Sequence, residues 1–218
     1  MLVKICGITR AEDAGQAVRA GADWLGINFW PKSKRFATRE VASAVAAAAR
    51  AERADVGLVG VFVNQPVEEV EEIADAAALD YVQLHGEETP ATCAHFGARA
   101  IKAIAVRGME DVRLLDDFPA VTFVLDTPSA AGFGGSGQTF DWTLAKAAVG
   151  TGRRILLAGG LNPENVAAAV RAVLRPSSHS PGWIQPLYAR TSYQSNHPGS
   201  LEKTEQVDRL LCLLYERR

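Results

Sequence analysis

Cys6 and Asp126 are the two side chains best placed by type and position to move protons, and each closes a short apolar run. Cys6 ends LVKIC, and Gly7 after it lets the chain turn away and leaves the thiol at the end of the run. A free thiol titrates near about 8.5, so roughly a few per cent is thiolate at neutral pH, enough for a base or nucleophile when neighbours help. The same residue also serves as a small buried hydrophobe. Asp126 closes TFVLD. A carboxylate at the end of an apolar strand is partly desolvated, which raises its pKa toward the range useful for a general acid. An aspartate there also caps the following loop through a local hydrogen bond. Residue type and spacing leave both pairs of readings open.

Other features suit an anionic substrate. GFGGSG at 132–137 and AGGLNPEN at 158–165 are glycine-rich turns, each placed just before a helical segment. Glycines let backbone N–H groups crowd toward an anion, and a helix N-terminus adds a favourable dipole. Neither turn has the Walker or dinucleotide pattern, so phosphate binding is the expectation and flexible turns the alternative. Pro31-Lys32-Ser33-Lys34-Arg35 puts three cations in one segment, where Arg35 could grip a carboxylate with two parallel bonds. A solvated basic loop has the same composition. His85 ends YVQLH, a position where a lone histidine is more often structural.

These residues need a scaffold that brings them together. LVKICG, WLGINF, VGLVGVF, YVQLH, AIKAIAV, TFVLD and RILLAGG read as seven strands, nearly continuous in apolar residues as in a parallel sheet buried on both faces. Between them lie segments such as REVASAVAAAARAE, PVEEVEEIADAAA and NPENVAAAVRAVL, with helical period and propensity. Thr38 and Asn162 are the expected helix starts, the second followed by a proline, and another helix should begin near Phe140. Seven βα units fit either a doubly wound sheet or a barrel, and periodicity does not separate them. In both, functional groups gather at the C-terminal strand ends, here Cys6, Asn28, Asn64, His85, Arg107, Asp126 and Gly159-Gly160.

Composition narrows the function class. The 218 residues suit one domain, about half are apolar, and the net charge of -2 gives no electrostatic case for nucleic acid. No apolar run approaches the roughly 20 residues of a membrane span, and no leader pattern opens the sequence. Three widely spaced cysteines suit a reduced protein without a disulfide framework or a CxxC metal site. The expected location is the cytoplasm.

KICG at 4–7, GINFWPKSKR at 26–35, GVFVN at 60–64, VQLHG at 82–86, LDT at 125–127, GGSGQTFDW at 134–142 and GGLNPENV at 159–166 closely resemble phosphoribosylanthranilate isomerase. Seven motifs in order, over about four fifths of the chain, are specific. The resemblance implies a (β/α)8 TIM barrel and the Amadori rearrangement of N-(5-phosphoribosyl)anthranilate in tryptophan biosynthesis. It implies Asp126 as the acid at the furanose ring oxygen and Cys6 as the base at C2′. It implies substrate contacts at Arg35, Gln83, His85, Gly135, Ser136, Gly137, Gly159, Gly160 and Asn162, with no metal or organic cofactor. The partner is a small phosphorylated substrate, and the enzyme would be a monomer or a homodimer. Gln138 stands where the family more often has a basic residue.

The resemblance stops near residue 174. An eighth strand reading approximately GVDVSSGVE is absent, and residues 175–218 change composition: residues 1–174 hold 35 alanines, the remainder only Ala189. The best strand candidate in this divergent tail, WIQPLYA, contains Pro186, which disfavours a central strand. Residues about 203–216 could form an amphipathic helix. The eighth unit is therefore expected to be atypical or missing, the pattern of a frameshifted or recombined end, with a genuine divergent ending as the alternative. Three functional readings follow: an active isomerase completed by its tail, an impaired family member lacking part of its phosphate site, or another sugar-phosphate isomerase barrel.

Overall fold

The computed structural model describes residues 2–120, 122–128, 139–162 and 165–173, together with the backbone of 188–189. Seven parallel strands appear where the apolar runs placed them: β1 (Lys4–Cys6), β2 (Trp24–Asn28), β3 (Gly57–Phe62), β4 (Tyr81–Leu84), β5 (Ala100–Ala105), β6 (Thr122–Asp126) and β7 (Arg154–Leu157). Helices α1 (Ala11–Arg19), α2 (Arg39–Glu52), α3 (Val67–Ala76), α4 (Pro90–Phe96), α5 (Met109–Arg113), α6 (Trp142–Val149) and α7 (Val166–Val173) follow them in alternation. An eighth strand, β8 (Tyr188–Ala189), pairs in parallel with β1, so the hydrogen-bonded order is β7-β6-β5-β4-β3-β2-β1-β8.

Contacts between non-adjacent strands show that this sheet is rolled. The rings of Trp24 on β2 and Tyr81 on β4 lie 4.4 Å apart with β3 between them. Lys4 on β1 hydrogen-bonds to Gln83 on β4. In a flat sheet those two strands would lie about 14 Å apart, three spacings of about 4.8 Å. The two faces accordingly carry separate apolar clusters. One, including Leu25, Phe62, Leu84 and Leu125, packs against helix residues such as Ala42, Val45, Val70 and Ala145. The other, with Trp24, Val59, Ile101, Val124 and Leu156, fills the enclosed face. This is a (β/α)8 barrel with an atypical eighth unit.

Local chemistry sets the helix boundaries. The Thr38 hydroxyl accepts from Val41 N, the N-cap expected for α2. Helix α6 begins at Trp142, two residues beyond the expected start, because the Asp141 carboxylate accepts from Thr143 N at 2.9 Å and fixes the first turn there. The short β8 lies just past Pro186, within the candidate WIQPLYA but clear of the residue that has no N–H to donate. The proposed helix at 203–216 lies outside the described residues.

Candidate active site

Parallel strands end together, so the C-terminal ends of β1 to β7 form one rim. Cys6 is buried and belongs to the enclosed cluster with Val124, Leu156 and Ala158. Its thiol fits because the residue beside it in register is Gly26, where a Cβ would lie 2.6 Å from the sulfur. Gly7 then turns the chain at φ +83°, a left-handed conformation that favours glycine.

Arg35 lies against this turn. A Cβ on Gly7 would meet Arg35 Cδ at 2.6 Å, and Arg35 Nη1 donates to the Cys6 carbonyl at 3.4 Å. The three cations of the PKSKR segment therefore separate: Lys32 and Lys34 are exposed, whereas Arg35 is half-buried beside the Cys6 carbonyl.

Asp126 is also buried, and on its strand it falls on the same face as Val124. Thr127 N donates to its Oδ1 at 2.8 Å, and His85 Nε2 lies 3.3 Å from its Oδ2. The carboxylate thus caps its loop locally and also faces the His85 ring just past the end of β4. Gly159, at φ +80°, packs on the same turn, where a Cβ would sit 2.2 Å from Thr127 Oγ1. Gly160 follows at φ +60°, and its carbonyl accepts from Asn165 Nδ2. Asn162 and Asn165 exchange side-chain-to-backbone bonds of 2.9 Å, which ties the turn after β7 to the start of α7. Gly135, Ser136, Gly137 and Gln138 lie outside the described residues.

The remaining strand-end residues have local partners. Asn28 Oδ1 accepts from Trp30 N, and Asn64 Oδ1 accepts from Glu87 N. Exposed Arg107 pairs with Asp111 at 3.3 Å. Beneath the rim, Gln83 Nε2 lies 2.7 Å from His85 Nδ1, while Gln83 Oε1 accepts from Lys4 Nζ. Lys4 was not among the sequence candidates. It is wholly buried, and burial pushes its ammonium below the usual lysine range, with nearby Cys6 pulling the other way. The available signal was spacing, since a lysine two residues before Cys6 in a strand must share its face.

The rim therefore carries a cysteine whose carbonyl accepts from a guanidinium, a carboxyl group facing an imidazole, and glycine turns after β7. Residues 3–179 match the family described as N-(5'-phosphoribosyl)anthranilate (PRA) isomerase. The chain belongs to that family. An N-(5'-phosphoribosyl)anthranilate isomerase of Citrifermentans bemidjiense is 49% identical over 171 residues, covering 78% of this chain and 81% of that one. The phosphoribosyl anthranilate isomerase structure from Thermus thermophilus superposes with a TM-score of 0.80 at 34% identity, covering all of both chains. Another isomerase structure, solved in complex with reduced 1-(o-carboxyphenylamino)-1-deoxyribulose 5-phosphate, gives a TM-score of 0.75 at 35% identity and 97% coverage of each chain. The family match thus spans all seven strands β1 to β7 and the helices that follow them. Among the described residues, no helix is long and apolar enough to cross a membrane.

Proposed function

We propose that this chain catalyses the isomerisation of N-(5-phosphoribosyl)anthranilate to 1-(2-carboxyphenylamino)-1-deoxyribulose 5-phosphate, an aldose–ketose rearrangement of tryptophan biosynthesis. The observation that carries this reading is a thiol and a carboxyl group on one enclosed barrel face, in a chain of this family. Protonated Asp126 gives its proton to the furanose ring oxygen. The C1′–O bond breaks, and the amine lone pair forms C1′=N. Cys6 thiolate takes the C2′ proton, and the released electron pair forms C1′=C2′ while the iminium becomes an enamine. Protonation at C1′ and loss of the C2′ hydroxyl proton give the ketone. The two groups divide acid and base work, as this sequence requires.

Arg35, which lies beside Cys6, would hold the anthranilate carboxylate. Gly159, Gly160 and Asn162, with Gly135, Ser136 and Gly137, would form the phosphate cradle, where backbone N–H groups meet a helix start. His85 would border the sugar, with Gln83 behind it. No cofactor takes part, and the working form is a cytoplasmic monomer or homodimer. Residues 1–174 would carry the seven catalytic units, and the divergent tail 175–218 would supply the edge beside β1, a role that the pairing of Tyr188–Ala189 supports. That pairing favours an active isomerase over an impaired one.

The test is consumption of freshly prepared phosphoribosylanthranilate, followed by its fluorescence. Wild type should turn over. Cys6→Ala and Asp126→Asn should each lose about 10²-fold or more in kcat, as expected when a general acid or base is removed. No turnover by soluble, folded wild type would refute the proposal.

A further inference from the structure

The hydrogen bonds beneath the rim form one line across the barrel: Lys4 on β1 to Gln83 on β4, Gln83 to His85, and His85 to Asp126 on β6. Donor and acceptor types give this line a direction. A lysine ammonium has only N–H to offer, so the Gln83 atom facing it is the carbonyl oxygen, which accepts from Lys4 Nζ. The Gln83 amide is then pinned, and its NH2 group must point at His85 Nδ1. A donor facing Nδ1 requires a lone pair there. The proton of the neutral ring therefore sits on Nε2, and Nε2–H is aimed at the Asp126 carboxylate.

We infer that Lys4 and Gln83 are positioning residues that fix the His85 tautomer, so that His85 donates to Asp126 and steadies the carboxylate left when it gives up its proton. This rests on Asp126 being the acid of the proposed isomerisation. It also changes the part given to Gln83, whose side chain is 0% exposed with both amide ends engaged, so that it acts through His85. Without the lysine the amide can flip, present its oxygen to Nδ1 and favour the other tautomer. Asp126 would then face a bare nitrogen lone pair, which holds the acid's proton instead of releasing it to the sugar.

The test joins a spectroscopic readout to kinetics. Long-range 1H–15N correlation spectra of ring-labelled protein, with His85 assigned by its loss in His85→Asn, should show Nδ1 unprotonated and Nε2 protonated in wild type. Gln83→Glu keeps the shape but offers an acceptor to Nδ1, and should move a proton onto that nitrogen. Lys4→Met should give a mixture of tautomers. In both variants kcat should fall about 10-fold or more, with KM little changed, within the range of acid–base catalysis. A wild-type His85 protonated on Nδ1 would overturn the inference, whatever the Lys4 and Gln83 variants do. So would a Gln83→Glu enzyme with the altered tautomer and wild-type kcat. Absence of turnover in wild type would instead strike the proposed reaction, because the tautomer is read independently of activity.

Discussion

Lys4 and Lys102 are both buried in one rolled sheet, on opposite faces, and they are satisfied in different ways. Lys102, on β5, faces the helices, where its ammonium meets Glu88 Oε2 at 2.7 Å and the carbonyls of Gly86 and Leu84 at 2.7 and 3.4 Å. Glu88 in turn accepts from Asn64 N and Gly86 N. Opposite charges and several hydrogen bonds meet there, and the group ties the loop after β4 to β5. Lys4 faces the barrel interior, donates to the Gln83 amide oxygen, and has its pKa lowered by burial. The contrast teaches that on the helix side Lys102 is held by a carboxylate and two carbonyls, whereas on the interior side Lys4 joins a line of hydrogen bonds that reaches Asp126.

The comparison is broken most strongly at Lys102. Lys102→Met leaves the Glu88 carboxylate buried without its cation and should cost about 3–5 kcal/mol in denaturant unfolding. Activity of the remaining folded protein should stay near wild type. Adding Glu88→Gln should recover most of the stability, because no uncompensated charge then remains. A double variant as unstable as the single would show that the pair is not what Lys102 contributes.

Cys93 and Cys6 sharpen the same division. Cys93 lies in the helix-facing cluster, and burial pushes its thiol up to about 11, with Glu88 adding to the rise and Lys102 opposing it. It should resist iodoacetamide in the folded protein at pH 8 and react once unfolded, as mass mapping would show. Rapid alkylation of native Cys93 would mean that this layer opens readily.

The smallest effect concerns the pH dependence at Lys4. Its pKa is lowered by burial from 10.5, so above the folded value the native chain holds fewer protons than the unfolded one. Wild-type stability should therefore rise relative to Lys4→Met as pH rises through the folded pKa toward 10.5, and level off above it. Paired denaturation curves at neutral and alkaline pH would measure the difference. A gap that does not change with pH would mean that burial does not disfavour the Lys4 ammonium.

The strands were legible because runs such as WLGINF and TFVLD are apolar on both faces, and the observed β2 and β6 fall inside them. The curling of the sheet was not legible from periodicity, since it is expressed in contacts between strands far apart in sequence, such as Trp24 with Tyr81. The resemblance supplied it instead. Cys6, Arg35, His85 and Asp126 were read as strand-end chemistry or as charge in a loop, and the structure joins Arg35 to the Cys6 carbonyl and His85 to Asp126. Lys4 escaped notice because its meaning depends on Gln83, 79 residues away. The start of α6 was legible to within two residues, and Asp141 sets it through a single side-chain bond.

The most direct measurement follows the carbon at which the proposed chemistry occurs. Purified protein would be given phosphoribosylanthranilate carrying 13C at ribose C2′, and the reaction watched by NMR. The expected result is loss of the carbinol signal and growth of a ketone carbonyl signal at that carbon, absent with Cys6→Ala. A C2′ that stays a carbinol while anthranilate and ribose 5-phosphate accumulate would show hydrolysis in place of isomerisation and contradict the proposal.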